Sequence, residues 1–171
     1  MKTAHVKHNS GNNEWYTPLT YIDAARKVMG GIDLDPASSD IANQTIKATK
    51  YYTAQNDGLI QKWDGRIWMN PPYAQPLIYQ FCKKLTEEFG NTVTEACVLV
   101  NNATETKWFH TLLQKANAVC FPLSRIKFMN KEGNASATPL QGQAVLYFGE
   151  HIELFHNVFN NFGIILYTGV K

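Results

Sequence analysis

The stretch Arg66-Ile67-Trp68-Met69-Asn70-Pro71-Pro72-Tyr73 combines a short apolar run with an abrupt stop. The run 66–69 predicts a buried strand, which the two prolines end because proline has no N–H to donate to a sheet. Over 76–89, apolar side chains recur at helical spacing, with Pro76 near the first turn, where its missing N–H is harmless. A strand, a turn and a helix in this order are typical of α/β folds.

The same alternation of strands and helices extends in both directions along the chain. Before this stretch, the pattern predicts a helix that starts at Pro18 and ends at Gly30-Gly31, and then a strand over 32–34. The segment 37–62 has the weakest pattern, and we expect it to be mostly loop. After this stretch, the predicted strands are 96–100, 118–121, 144–148 and 164–167, and the predicted helices are 104–116 and 152–162.

This order of elements predicts a compact, mostly parallel sheet flanked by helices. With 171 residues, 44% of them apolar, the chain fits one domain, which we place at 14–171 after a polar, flexible N-terminal arm at 1–13. No apolar run approaches the roughly 20 residues that span a bilayer, and the first residues lack the apolar stretch of a signal peptide. We therefore expect a cytoplasmic protein that does not contact a membrane.

Cysteine and histidine spacing argues against a metal site. Cys82, Cys97 and Cys120 are far apart, and neither they nor the five histidines show the spacing of metal ligands. Cys82 and Cys97 have apolar neighbours and are expected in the core. The net charge of +2 permits binding to nucleic acid without requiring it.

Two unusual polar segments, Asp33-Leu34-Asp35-Pro36 and Asn70-Pro71-Pro72-Tyr73, lie at the ends of predicted strands. In open α/β sheets, ligands bind outside the carboxyl ends of the strands. The two segments are therefore the candidate ligand-binding residues.

The Asn70-Pro71-Pro72-Tyr73 segment has the acceptors needed to hold a planar amino group. The side-chain oxygen of Asn70 and a proline carbonyl can accept both amine hydrogens, which helps bring the nitrogen lone pair out of conjugation and stabilises positive charge as a methyl group arrives. Tyr73 is suited to stacking on a base flipped out of a duplex. The structural alternative is a rigid turn with a surface tyrosine.

Further short motifs occur in order along residues 14–149: Glu14-Trp15-Tyr16-Thr17-Pro18, Gly31-Ile32-Asp33-Leu34-Asp35-Pro36-Ala37-Ser38, Asp57-Gly58-Leu59, Trp63, Trp68-Met69-Asn70-Pro71-Pro72-Tyr73, Val100-Asn101-Asn102-Ala103-Thr104, Lys107-Trp108-Phe109, Arg125-Ile126-Lys127-Phe128 and Gly142-Gln143-Ala144. In this order they resemble the phage-type DNA N-6-adenine methyltransferase (Dam) family, which phages and prophages commonly encode. The resemblance implies a class I, Rossmann-like methyltransferase that uses S-adenosylmethionine to methylate adenine in DNA, in the host cytoplasm if a phage encodes it.

The resemblance also implies roles for particular residues. The residues matching cofactor-binding segments are Thr17, Pro18, Asp33, Asp35, Pro36, Ala37 and Asp57, and those matching the catalytic motif are Asn70, Pro71, Pro72 and Tyr73. The sequence departs from the broader methyltransferase pattern because Ala37-Ser38-Ser39 stands where a glycine-rich turn is usual, and no carboxylate is identifiable as the ribose ligand.

Ordinary turn chemistry is the alternative for two of these acids. Asp35 before Pro36 is a common turn former, and Asp57-Gly58 is a frequent turn pair. For contact with DNA phosphates, the candidates are Arg125, Lys127 and Lys131 in a polar loop, with a solvated connection as the alternative. The length leaves no room for a large separate recognition domain, and monomer and dimer both stay open.

The local chemistry leaves other substrates open. The same acceptor pair suits adenine in RNA, the N4 amine of cytosine, and the side-chain amide of glutamine in proteins. The non-enzymatic alternative is an inactive remnant that binds DNA but has lost catalysis.

Overall fold

The computed structural model describes residues 16–130, 133–135 and 139–169. The predicted arm at 1–13 and the candidate Lys131 lie outside the described residues. Within this part of the chain, the elements are α1 (Leu19–Met29), β1 (Leu34–Asp35), α2 (Asp40–Ile46), β2 (Lys50–Tyr51), β3 (Gly65–Met69), α3 (Leu77–Glu88), β4 (Val93–Asn101), α4 (Lys107–Leu113), β5 (Ala118–Pro122), β6 (Gln143–Phe148), α5 (Ile152–Phe159) and β7 (Gly163–Tyr167).

Most of the segment 37–62 is irregular, as predicted, but it also contains the short elements α2 and β2, which the pattern does not predict. Helix α2 has seven residues and begins after Ser39, whose side-chain oxygen accepts the N–H of Ala42. One residue of this helix, Ile46, is buried. A helix this short, with one inward residue, leaves no periodic signal in the sequence.

The seven strands form one mixed sheet in the order β2-β1-β3-β4-β6-β5-β7. Strands β2, β1, β3 and β4 are parallel neighbours, whereas the pairs β4–β6, β5–β6 and β5–β7 are antiparallel. The expectation of a mostly parallel sheet is therefore wrong: half of the neighbouring pairs are antiparallel, including the longest ladder, β4–β6. The described residues of the β5–β6 connection contain no helix, and a helical crossover is the usual way for a chain to return in parallel.

The central strands are buried on both faces. Along β4, Ala96 and Val98 point into a core that includes residues of α3 and α4, and Cys97 and Leu99 point into a second core that includes residues of α1 and α5. Cys82 and Cys97 are both buried, as predicted. None of the described helices is long and apolar enough to cross a membrane.

The first strand is the point where the path of the chain across the sheet reverses. From β1 the chain adds β2 on one side and then crosses to add β3 on the other. Such a switch point opens a crevice at the carboxyl ends of the two strands, where α/β sheets bind ligands. We call the side of the sheet where β1, β3, β4 and β5 end the carboxyl edge, and the opposite side the amino edge.

Candidate active site

Asn70 directly follows β3 at the carboxyl edge, where it meets a segment 53 residues earlier in the chain. Its side-chain Nδ2 donates to Oγ1 of Thr17 at 3.4 Å. Thr17 precedes α1 and is 7% exposed, so this contact lies in a largely enclosed place. Because Nδ2 is the donor toward Thr17, Oδ1 is the atom of the amide that is turned toward other partners as an acceptor.

Tyr73 closes over that acceptor. Its hydroxyl donates to Oδ1 of Asn70 at 3.5 Å, a long hydrogen bond that a better donor can replace. Burial of the hydroxyl raises the pKa of Tyr73, against a smaller opposing effect from the backbone of Asn101, although 39% of the residue is exposed. The side chain is therefore partly accessible beside Asn70. Between the two residues, Pro71 is buried and Pro72 is exposed.

Asp35 ends β1 and is 2% exposed. Burial raises the pKa of its carboxyl to about 7, although the Ser38 hydroxyl and the N–H of Ala37, at 3.2 Å, act in the opposite direction. Among the described residues, no basic side chain forms an ion pair with it. A buried carboxyl with a raised pKa at a strand end is a candidate functional group, because a cationic or hydroxyl-bearing ligand would stabilise its charge.

Asp33 lies only two residues earlier but has a different environment. Its two carboxylate oxygens accept from Nε and Nη2 of Arg66 at 2.8 and 2.7 Å, and the backbone N–H of Arg66 adds a third bond at 2.8 Å. These hydrogen bonds lower the pKa of Asp33. The structure therefore joins Asp33 to the beginning of β3, toward the amino edge, and does not bring it to Asn70.

The Asp57-Gly58 turn packs against the end of β1. A Cβ atom on Gly58 would lie 2.0 Å from the carbonyl oxygen of Pro36, so only glycine permits this approach. Asp57 has a positive φ of 44° and accepts the N–H of Leu59 at 3.0 Å, as in an ordinary Asx turn. Asp57 is thus a turn residue and, at the same time, an exposed acid beside the end of β1.

A lysine that the sequence pattern does not single out holds this turn in place. The ammonium of Lys84 on α3 donates to the carbonyls of Leu59 and Gln61, both at 2.6 Å, and lies over the Trp63 ring at 5.3 Å. The indole N–H of Trp63 donates to the carbonyl of Gly58 at 2.7 Å. The contacts of Lys84 join parts of the chain more than twenty residues apart, so no local motif reveals them.

Arg125 and Lys127 lie in the irregular segment after β5, as the prediction of a polar loop requires. Both are exposed, while Ile126 and Phe128 between and after them are buried. Backbone bonds in both directions between Met129 and Tyr16, at 2.9 and 2.8 Å, tie the segment to the residue before Thr17. The segment follows β5, so the structure brings these two cations to the carboxyl edge.

A second polar cluster lies at the amino edge, around the buried carboxylate of Glu95. The hydroxyl of Tyr147 donates to this carboxylate, and Nδ1 of His151 lies 3.0 Å from it. The backbone N–H of His151 donates to the Tyr147 oxygen at 2.9 Å. In the described part of the chain, no group of three or more His, Cys, Asp or Glu side chains is placed to hold a metal ion.

Comparison with known proteins gives one consistent result. The sequence profile of a family described as DNA N-6-adenine-methyltransferase (Dam) matches residues 4–164. Over 135 residues, the chain is 28% identical to the DNA N-6-adenine-methyltransferase of Haemophilus phage HP1 (strain HP1c1), covering 77% of this chain and 75% of that protein. Over 105 residues, it is 30% identical to the DNA N-6-adenine-methyltransferase of Escherichia phage T1, covering 60% of this chain and 41% of that protein.

Proposed function

The chain belongs to the DNA N-6-adenine-methyltransferase (Dam) family, and we propose that it transfers a methyl group from S-adenosylmethionine to N6 of adenine in DNA. The observation that carries this proposal is the meeting of Asn70, Tyr73 and Thr17 at the carboxyl edge, one strand away from the buried acid Asp35. A catalytic amide and a ligand-binding carboxyl thus flank the switch point between β1 and β3, where α/β sheets bind their ligands. The parallel half of the sheet is in our proposal the Rossmann-like core of a class I methyltransferase.

The groups around the end of β1 fit a cationic, hydroxyl-bearing cofactor. Asp35 supplies a carboxyl that lacks a cationic partner among the described residues. In our proposal, the segment Pro36-Ala37 and Asp57 extend this binding surface, and Thr17-Pro18 closes it on the α1 side. S-adenosylmethionine supplies an activated methyl group on a positively charged sulfur when it is bound.

In this proposal, the side-chain oxygen of Asn70 accepts a hydrogen bond from the target amine. Its orientation is set in advance by the Thr17 contact, so the acceptor needs little reorganisation when the base arrives. The amine displaces the Tyr73 hydroxyl from Oδ1, and the tyrosine ring then stacks on the flipped base. With a carbonyl of the adjoining prolines as second acceptor, these contacts draw the nitrogen lone pair toward the incoming methyl group.

DNA approaches the same edge in this proposal, with Arg125 and Lys127 on the phosphate backbone and Lys131 as a further candidate. Both described cations are exposed on the segment tied to Tyr16, next to Thr17. Phosphate contacts of this kind position a protein on the duplex without reading its sequence.

Transfer of labelled methyl from S-adenosylmethionine, offered separately to unmethylated duplex DNA, to RNA and to a mixture of proteins, tests the proposal. We expect label in DNA from the wild type and none from Asn70→Ala. Label confined to RNA or to protein glutamine would overturn the choice of substrate. Binding of DNA without any methyl transfer, by a protein that also fails to bind S-adenosylmethionine, would indicate a remnant that has lost catalysis.

A further inference from the structure

We propose that Gln143 is a positioning residue for DNA: its buried amide holds the segment 125–128 so that Arg125 and Lys127 face the phosphate backbone as a fixed pair. This inference rests on the proposed action on DNA. It assigns a role to a residue that contacts neither the amine nor the cofactor site described above.

Gln143 begins β6 and is 3% exposed. Its Oε1 accepts the backbone N–H of Ile126 at 2.8 Å, and its Nε2 donates to the carbonyl of Gln141 at 2.6 Å. Both ends of the amide are therefore used inside the protein. A buried amide is costly unless it is bonded in this way, so loss of the side chain would leave the Ile126 N–H without its acceptor.

The bonded N–H belongs to the residue between the two cations. Ile126 and Phe128 point inward while Arg125 and Lys127 point outward. In an extended chain, side chains two residues apart lie on the same side and roughly 6.6 Å apart. The alternating burial therefore places both charges on the outer face, and the Gln143 bond holds the backbone between them.

The same residue connects this segment to the strand beside the catalytic one. The backbone of Gln143 is paired with Asn101 at the end of β4, and β4 is the neighbour of β3, which leads into Asn70. A second anchor, Nη1 of Arg125 to the carbonyl of Pro139 at 3.1 Å, joins the segment to the far side of the connection. Backbone and amide bonds thus connect the cation pair to the strands that lead to Asn70.

The salt dependence of DNA binding separates a positioning role from a general structural one. Each phosphate contact contributes roughly 0.9 to the slope of log affinity against log salt concentration. Gln143→Met keeps the length of the side chain and removes both hydrogen bonds. We expect it to lower that slope by about 1 to 2 and to raise the KM for DNA several-fold, with the KM for S-adenosylmethionine unchanged.

Two further variants keep the proposal falsifiable. Gln114→Met makes the same chemical change at an exposed position just after α4, and it should match the wild type in both measurements. Gln143→Glu retains an oxygen that can accept from Ile126, so it should keep more of the wild-type slope than Gln143→Met.

The outcomes distinguish this inference from the proposed function. If the wild type methylates DNA but Gln143→Met keeps the wild-type slope, or raises both KM values equally, the inference is wrong and the proposed function stands. If Gln143→Met fails to fold, the double variant Arg125→Gln/Lys127→Gln and the variant Gln143→Glu decide the question. A double variant with the wild-type slope overturns the inference. A double variant with a reduced slope, together with a wild-type slope in Gln143→Glu, supports it. If the wild type binds no DNA, the proposed function fails first.

Discussion

Both edges of the sheet carry acidic side chains, but the partners of these acids differ between the two edges. At the amino edge, Asp33 is held by Arg66, and Glu95 is held by Tyr147 and His151. At the carboxyl edge, Asp35 is more deeply buried than Asp33 and has no cationic partner among the described residues. The acids of the amino edge therefore have partners within the chain, while Asp35, which we propose binds the cofactor, has no cationic partner among the described residues.

This difference has an energetic consequence. An acid that is paired with groups of the same chain stabilises the folded protein. A buried acid without a cationic partner lowers the free energy of unfolding, and binding of a cationic ligand raises it again. In our proposal, Asp35 at the end of β1 binds a ligand and Asp33, just before β1, has a structural role, and the variants below test that distinction.

The largest effect is expected at the carboxyl edge for Asn70→Ala. Removing the acceptor that holds the amine should lower the rate of methyl transfer by about 10²–10³-fold, the range seen when a preorganised polar group is deleted. The dissociation constant of S-adenosylmethionine, measured by calorimetry, should change little. Asn157→Ala, an exposed change on α5, is the control. Unchanged turnover in Asn70→Ala would refute the assigned mechanism.

The next effect is a pH dependence of stability that Asp35 produces. Because the pKa of Asp35 is raised to about 7, the ligand-free folded state holds a proton that the unfolded state releases near pH 4. Stability should therefore fall as pH rises from about 4 to about 7, by at most about 4 kcal/mol at roughly 1.4 kcal/mol per pKa unit. Asp35→Asn should lose this dependence and be the more stable protein above pH 7, as measured by denaturant unfolding.

The cofactor should show the opposite trend with pH. Binding a cationic ligand favours ionised Asp35, so the affinity for S-adenosylmethionine should rise between pH 6 and pH 7.5 in the wild type. In Asp35→Asn, the affinity should be weaker by about 10-fold or more, because hydrogen bonds to charged groups contribute roughly 1.5–3 kcal/mol. An affinity equal to that of the wild type at both pH values would show that Asp35 is only a turn residue.

A smaller effect is expected for Tyr73→Ala. Loss of base stacking should weaken productive binding of DNA by roughly 1–3 kcal/mol. Tyr73→Phe keeps the ring and removes the hydroxyl that contacts Asn70, so its KM for DNA should stay close to that of the wild type. If the two variants are equally impaired, the hydroxyl matters and the stacking role is wrong.

The smallest effect should come from the amino edge. Asp33→Asn weakens the pair with Arg66, which is partly exposed, and we expect a loss of roughly 1–2 kcal/mol in the free energy of unfolding. The affinity for S-adenosylmethionine should be unchanged, in contrast with Asp35→Asn. A loss of cofactor affinity without a loss of stability would remove the distinction between the two edges.

Local patterns predict the longer elements of this protein well and its long-range contacts poorly. Helices α1 and α3 and strand β3 have enough residues for a periodic or apolar signal, and the structure confirms all three. The antiparallel half of the sheet was not predicted, because the β5–β6 connection contains no pattern that reveals the direction of the returning strand. The local elements can thus be predicted from the sequence, while the pairing of the last strands cannot.

The candidate site shows the same limit. The sequence points to Asn70 and Asp35 because each lies at the carboxyl end of a predicted strand, and the structure places the two strands side by side. The partner of Asp33 is Arg66, 33 residues later, and nothing near Asp33 in the sequence indicates that bond. Gln143 and Lys84 likewise act through contacts with distant backbone groups.

The most direct test of the central claim is the identity of the methylated base. Unmethylated duplex DNA is incubated with the wild-type protein and labelled S-adenosylmethionine, digested to nucleosides and separated, with Asn70→Ala as the control. The account predicts N6-methyladenine as the labelled product from the wild type alone. Label in N4-methylcytosine, or no labelled nucleoside from a protein that binds both DNA and cofactor, would contradict it.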